Sequence, residues 1–242
     1  MSGHSKWHNI QKTKGAADAK RSQAFTKVAR EMIVAVKTGG GGDPANNSRL
    51  ATVIAKARAI NMPNDNIKRT IEKAAGAGNA DTYENVSYEG YGPSGVAVIV
   101  DALTDNRNRT APEVRHLLDK YGKGLGPTGC VSWSFDQKGV IVIEREDLDE
   151  DTMMMDALDC GAEDMETGDE CFEVYTTPDS FGAVLEKLEA KGYTFLNAAV
   201  EMVPQNYVKL DSEEDVKNME KLIDLLEEND DVQNVWHNWD QD

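Results

Sequence analysis

Lys6, Lys12, Lys14, Lys20 and Arg21 crowd the first 21 residues, with Trp7 as their lone aromatic. Cations of this kind neutralise phosphates and release counterions, and an indole can stack on an unpaired base. Trp7 could equally tuck into a neighbouring groove. Lys27, Arg30 and Lys37 follow at helical spacing, then Arg49 with Lys56 and Lys68 with Arg69. A last pair, Arg107 and Arg109, sits in the segment Asp105-Asn106-Arg107-Asn108-Arg109-Thr110. That segment reads either as a helix entrance rich in capping residues or as a strand–helix turn able to hold phosphate. The chemistry on offer is charge neutralisation and stacking, not bond breaking.

Catalytic constellations are missing from the sequence. The histidines His4, His8, His116 and His237 form no HExxH and no zinc spacing with cysteine, and there is no GxSxG. No base or nucleophile accompanies the Asn106–Thr110 segment. Asp147-Leu148-Asp149-Glu150-Asp151 hints at calcium, but an EF-hand loop starting there needs Gly and Glu where Thr152 and Leu158 stand. Those acids read instead as helix-capping residues. Met153-Met154-Met155 reads as core and filler. Gly39-Gly40-Gly41-Gly42 has no following Lys-Ser/Thr and no preceding strand, so it is a connection and not a phosphate loop. The expectation is a protein with no catalytic residue, no metal and no cofactor.

The net charge of −17 averages two unlike parts. Residues 1–78 hold 14 Lys and Arg against 5 Asp and Glu, a net of +9, and the rest holds 12 against 38, a net of −26. Only the basic part can release counterions from a nucleic acid, while the acidic part repels phosphate and limits how the basic part docks. Duplex DNA and ribosomal RNA are both open as partners, with ribosomal proteins suited to the acidic face. No apolar run approaches the roughly 20 residues needed to span a bilayer. The start of the chain resembles neither a secretory signal nor a mitochondrial presequence. Cys130, Cys160 and Cys171 are odd in number and lack a CxxC, which suits a reducing compartment. A cytoplasmic location without membrane contact is expected.

These side chains need elements to position them. Residues 1–21 read as a mobile basic arm. In 22–38, Phe25, Val28, Ala29, Met32 and Val36 share one helical stripe, which leaves Lys27, Arg30, Val34 and Lys37 on the opposite, solvent-facing side. A second helix over 47–61 turns Leu50, Val53, Ile54, Ala57 and Ile60 inward. Pro63 with Asn64-Asp65 opens and caps a third, burying Ile67, Ile71 and Ala74 and exposing Lys68, Arg69 and Lys73. Beyond residue 80 the pattern is a hairpin (83–91 and 95–102) and a helix (111–121). Strands at 131–135 and 140–144, a helix at 150–160, a strand at 171–176, a helix at 179–191 and a strand at 195–203 follow. The chain then gives a strand at 207–210, a helix at 212–228 and a strand at 232–237. The expected fold class is α+β and multidomain. The basic arm precedes a three-helix nucleic-acid-binding domain (22–79). An α+β domain is then formed by 80–130 plus 207–242, with a ferredoxin-like domain (131–206) inserted in it.

Gly3-His4-Ser5-Lys6-Trp7, Asp18-Ala19-Lys20-Arg21, Phe25-Thr26-Lys27, Gly40-Gly41-Gly42-Asp43-Pro44 and Asn61-Met62-Pro63 recur in one known family. So do Tyr88-Glu89-Gly90-Tyr91-Gly92-Pro93, Asp105 to Thr110, Gly161-Ala162-Glu163-Asp164 and Asp230-Asp231-Val232-Gln233-Asn234-Val235. In this order, over essentially the whole length, the chain resembles the YebC/PmpR family, whose eukaryotic relative is the mitochondrial translational activator of cytochrome c oxidase. The resemblance implies three α/β domains, the last inserted, and no cofactor. It also implies one of two roles: a DNA-binding transcriptional regulator, or a ribosome-associated translation factor that helps synthesis past proline-rich stretches. Arg21-Ser22-Gln23-Ala24 departs from the family's usual Arg-Gly-Lys and removes one cation from that contact. Against the DNA role stands the lack of a recognisable helix-turn-helix, zinc finger or basic zipper. For either target, Lys27, Arg30 and Lys37 changed to Glu are expected to weaken binding sharply and leave the fold intact.

Overall fold

The computed structural model describes residues 18–76, 82–145 and 148–241. It is α+β, as expected from the pattern. Three helices come first: α1 (Asp18–Thr38), α2 (Ser48–Ala59) and α3 (Asn64–Ala75). Val28, Met32, Ile33, Ala35 and Val36 of α1 meet Leu50, Val53, Ile54 and Ala57 of α2 and Ile67 and Ala74 of α3 in one core.

The glycine loop after α1 is built for close approach. A Cβ on Gly39 would lie 2.4 Å from Asn47 Oδ1 and 2.7 Å from the Ala35 carbonyl. Asn47 is buried; its amide donates to the carbonyls of Ala35 and Gly41, and its Oδ1 accepts from Leu50 N–H, capping α2. Helix α3 is entered differently from expectation. Its N-cap is Pro63, with no side-chain cap hydrogen bond, and the Pro63 carbonyl accepts from Asn66 and Ile67 N–H.

The first sheet has strand order β3-β1-β2-β9, from β1 (Glu84–Tyr91), β2 (Ala97–Thr104), β3 (Gly124–Leu125) and β9 (Val232–His237). Helices α4 (Arg107–Tyr121) and α7 (Glu213–Glu227) share a core with one of its faces through Val114, Leu118, Met219, Leu222 and Leu226. The close approach explains two glycines: a Cβ on Gly92 would lie 2.7 Å from Met219 Sδ, and one on Gly90 2.7 Å from the Gly124 carbonyl. Ala97 and Ile99 of β2 cluster with Val131 and Phe135. A short parallel pair, β8 (Val208–Lys209) with β10 (Trp239–Asp240), closes the chain's end.

The second sheet runs β5-β6-β4-β7 and is antiparallel throughout. Its elements follow the chain order β4 (Phe135–Glu144), α5 (Glu150–Cys160), β5 (Asp164–Thr167), β6 (Cys171–Thr176), α6 (Phe181–Ala190) and β7 (Phe195–Pro204). That βαββαβ order, with the first strand beside the last and the third, is the ferredoxin-like arrangement. All of it lies in sequence between β3 and β9 of the first sheet.

Further details differ from the sequence pattern: α1 begins at Asp18, within the expected 1–21 arm, and α4 begins at Arg107, ahead of the expected 111–121, where Asn106 caps it. The expected strands 131–135 and 140–144 are a 3-10 turn (Ser132–Ser134) followed by one ten-residue strand. Gly139 suggests a break but serves packing: a Cβ there would lie 2.3 Å from Thr176 Oγ1 and 2.6 Å from the Phe181 ring. The short β5 is too polar, as Asp-Met-Glu-Thr, to announce itself.

Candidate nucleic-acid interface

Lys6, Trp7, Lys12 and Lys14 lie outside the described residues. Lys20 falls in the first turn of α1, and its side chain lies outside the described ones too. Arg21 and Lys37, near opposite ends of α1, are exposed.

Helices α2 and α3 present the remaining cations to solvent. Arg49 and Lys56 on α2, and Lys68 and Arg69 on α3, are all exposed, as their positions off the apolar stripes require. Arg58 and Lys73 join them. Pairing Arg49 with Lys56 on one flank of the helix passes over Arg58, although its exclusion from the Leu50–Ala57 stripe marks it as outward. Within this group Lys56 pairs with Glu31 at 2.7 Å, and Arg49 Nη1 donates to Thr38 Oγ1 at 3.3 Å. Both contacts are exposed, so solvent and salt weaken them readily.

Lys27 and Arg30 do not form the open face that their helical positions suggest. Both are drawn into a contact with the C-terminal end of α7 and the residues that follow it. Lys27 Nζ donates to the Glu227 carbonyl at 2.7 Å, and the Gln23 amide donates to the carbonyls of Glu227 and Glu228. Arg30 Nη1 donates to the Asp230 carbonyl at 2.5 Å and pairs with Asp231 at 2.6 Å. Val34, on the same side of α1, is buried. Carbonyls at a helix C-terminus carry partial negative charge and lack intrahelical partners, so cations are favoured there. Burial lowers the Lys27 ammonium pKa, against the opposing pull of Glu227 and Asp230.

Asp231 is the hub of a second set of contacts, and these give the Asp105–Thr110 segment its place. Asp231 is 3 % exposed and accepts from Thr110 Oγ1 at 2.6 Å, Arg109 Nη2 at 2.7 Å and Thr104 Oγ1 at 3.2 Å. Arg109 also reaches Asp105 at 2.8 Å. Asn106 caps α4 by accepting from Arg109 N–H, which satisfies the helix-entrance reading, and Arg107 pairs with Glu84 at 3.2 Å. Burial pulls the Asp231 carboxyl pKa upward, but hydrogen bonds from Thr110, Arg109 and Arg30 outweigh it and hold the group below its ordinary value. The bonds of Arg109 to Asp231 and Asp105 raise its own pKa further.

An open cavity of about 400 Å³ beside this hub is lined by Arg30, Asp105, Arg109, Glu113, Glu228, Asn229, Asp230 and Asp231. Its carboxylates outnumber its two guanidiniums, which are already paired with Asp105 and Asp231. The exposed cations of α2 and α3 are therefore better placed to meet a phosphate than Arg30 or Arg109.

Elsewhere the structure favours plain roles. Asp149 caps α5 by accepting from Thr152 N–H and Oγ1. Met153 is core, while Met155 is exposed. Burial pushes the Cys171 thiol up to about 12, and Cys130, Cys160 and Cys171 are all free. Among the described residues, no group of three or more His, Cys, Asp and Glu could hold a metal ion, and no helix is long and apolar enough to cross a membrane.

Known proteins share both the sequence and this architecture. A probable transcriptional regulatory protein of Acetivibrio thermocellus is 58% identical over 240 residues, covering 99% of each chain. Another, of Finegoldia magna, is 54% identical over 242 residues and covers both chains in full. The crystal structure of a conserved hypothetical protein from Aquifex aeolicus matches with a TM-score of 0.83 at 43% identity, over 92% of this chain and 91% of that one. Residues 5–77 match the family model described as the TACO1/YebC protein N-terminal domain, and residues 83–239 match the TACO1/YebC second and third domain. The chain belongs to the TACO1/YebC family.

Proposed function

We infer that this protein is a nucleic-acid-binding regulator of gene expression, of the YebC type, that meets its target through the helical unit at its N-terminus. The carrying observation is the separation of its cations into two sets. Lys27 and Arg30 are drawn into contacts within the protein and Arg109, though exposed, is held by Asp231 and Asp105, whereas Arg49, Arg58, Lys68, Arg69 and Lys73 face solvent, with Lys56 in an exposed pair with Glu31. Counterion release needs the second kind. The relatives' name, probable transcriptional regulatory protein, supports the same reading and puts duplex DNA first among targets. The reading assigns no catalytic residue and places the protein in the cytoplasm.

The test is fluorescence anisotropy with labelled duplex DNA across a salt series, for the wild type and for Lys68→Glu/Arg69→Glu. Binding is expected to fall with salt, by about one order of magnitude in Kd per few phosphates neutralised over a fourfold rise. The double variant is expected to bind at least tenfold more weakly and to show a shallower salt slope. Equal binding by the two proteins would refute the exposed flank as the interface. Structured ribosomal RNA run in the same series decides between targets: a preference for it at matched salt favours the translation role.

A further inference from the structure

The acidic part of the chain contains one surface of opposite character. Residues 120–135 are its longest run without Asp or Glu, and they carry Lys120 and Lys123. The segment includes Trp133, whose side chain is the most exposed of the large apolar groups described, at 70%. The indole is not loose. Its Nε1–H donates to the Cys130 carbonyl at 2.9 Å, and the hydroxyl of the exposed Tyr91 donates to the same oxygen at 3.1 Å. Two rings are thus pinned by their polar edges to one carbonyl, on a segment fixed from beneath.

Glu89 does the fixing. It is 5 % exposed, and its carboxylate accepts from Gly129 N–H at 2.7 Å, Val131 N–H at 2.8 Å and Ser132 N–H at 2.9 Å. Its charge is spent on these backbone groups. Val131 is buried beside Ala97, Ile99 and Phe135. Lys123 N–H donates to the Tyr91 carbonyl at 2.8 Å, and the Lys123 side chain is exposed.

We propose that Trp133 and Tyr91 form a stacking platform for an unpaired nucleobase, with Lys123 beside it for the adjoining phosphate. The proposal rests on the nucleic-acid reading above and adds a single-stranded element to the target. With its N–H already donated, the indole offers its face and not a hydrogen bond, so it recognises any base and reads none in particular. Pinning the rings in advance lowers the ordering cost of binding. The exposed neighbours Pro127, Thr128 and Gly129 offer little apolar surface of their own, while the nearby lysine suits a phosphate. Base–aromatic stacking contributes enough for a five- to hundredfold change in Kd per base.

The test measures anisotropy with labelled single strands of about twelve nucleotides, as RNA and as DNA of the same sequence, and with the matching duplex. Wild type is compared with Trp133→Ala, Trp133→Phe and Lys68→Glu/Arg69→Glu, each checked for an unchanged melting temperature. Trp133→Ala is expected to weaken single strands about tenfold, leave the duplex unchanged, and be largely rescued by Trp133→Phe. A preference for RNA over DNA strands would place the platform on RNA; equal binding would leave any unpaired strand as its ligand, and both outcomes support it. If Trp133→Ala binds every strand as tightly as wild type while the Lys68/Arg69 variant binds none, the platform is overturned and the regulator reading stands. If neither variant changes any binding, both ideas fall together.

Discussion

Arg30 and Asp231 lie 2.6 Å apart and join the first described helix to the connection between α7 and β9, across 201 residues of sequence. The pair is unequal. Asp231 is buried and has Thr104, Arg109 and Thr110 besides Arg30, whereas Arg30 has only peripheral alternatives. Removing the arginine leaves the carboxylate satisfied. Removing the carboxylate takes a buried acceptor from two guanidiniums and two hydroxyls at once. Asp231→Ala is therefore expected to cost about 3 kcal/mol, and Arg30→Ala about 1–2 kcal/mol. Urea unfolding gives the difference, and hydrogen exchange adds its location: Arg30→Ala should deprotect α1 and residues 227–231 first. Equal costs for the two variants would contradict the hub role of Asp231.

Lys27 separates a charge effect from a packing effect. Its ammonium is partly buried against the Glu227 carbonyl, and burial lowers its pKa. Lys27→Met keeps the stem that covers apolar surface and removes the desolvated charge, so stability should change by less than about 1 kcal/mol. Lys27→Glu instead sets a carboxylate against helix-terminal carbonyls and the nearby charges of Glu227 and Asp230. It should open the contact between α1 and the α7 end, read as raised proteolysis near residues 227–231. A glutamate variant that melts with wild type would show the contact to be dispensable. This outcome matters for the interface too: a Lys27/Arg30/Lys37 triple glutamate variant would lose binding through damaged docking as well as lost charge.

What was legible in the sequence follows from how local its causes are. The apolar stripes of α1, α2 and α3 are set by residues three and four apart, and the packed cores match them closely. Hairpin β1–β2 and the ferredoxin-like order were readable from alternation and turn residues. The fate of Lys27 and Arg30 was not, because periodicity tells which side of a helix faces away from its own core but not whether another unit covers that side. The roles of Arg109 and Thr110 were hidden for a related reason: their partner Asp231 is more than 120 residues away. Trp133 was invisible as a surface residue, since an indole in an apolar stretch is ordinarily buried. Glycine was ambiguous at 139, where it serves close packing inside a strand and not a turn.

Of the carboxylates held below their ordinary pKa, the two buried ones should dominate the acid limb of stability, since solvent screens the exposed Asp149 and the partly exposed Asp156. Asp231 sits below its ordinary pKa because the bonds from Thr110, Arg109 and Arg30 outweigh burial. Glu89 does so because backbone N–H groups of Val131, Gly129 and Ser132 outweigh burial likewise. A depressed folded pKa gives stability that is complete above the unfolded value, about 4, and is lost as pH falls through the lower folded value. Asp101 opposes this, since burial raises its carboxyl pKa. The urea midpoint of wild type should therefore hold between about pH 7 and 5 and decline steeply below about pH 4. Asp231→Asn and Glu89→Gln should each lower stability at neutral pH and flatten the decline by up to about one proton per molecule. A variant that starts lower but falls as steeply as wild type would assign the acid sensitivity to other groups. Because Glu89 fixes the segment bearing Trp133, its glutamine variant should also free the indole, seen as a loss of near-ultraviolet circular dichroism at pH 7.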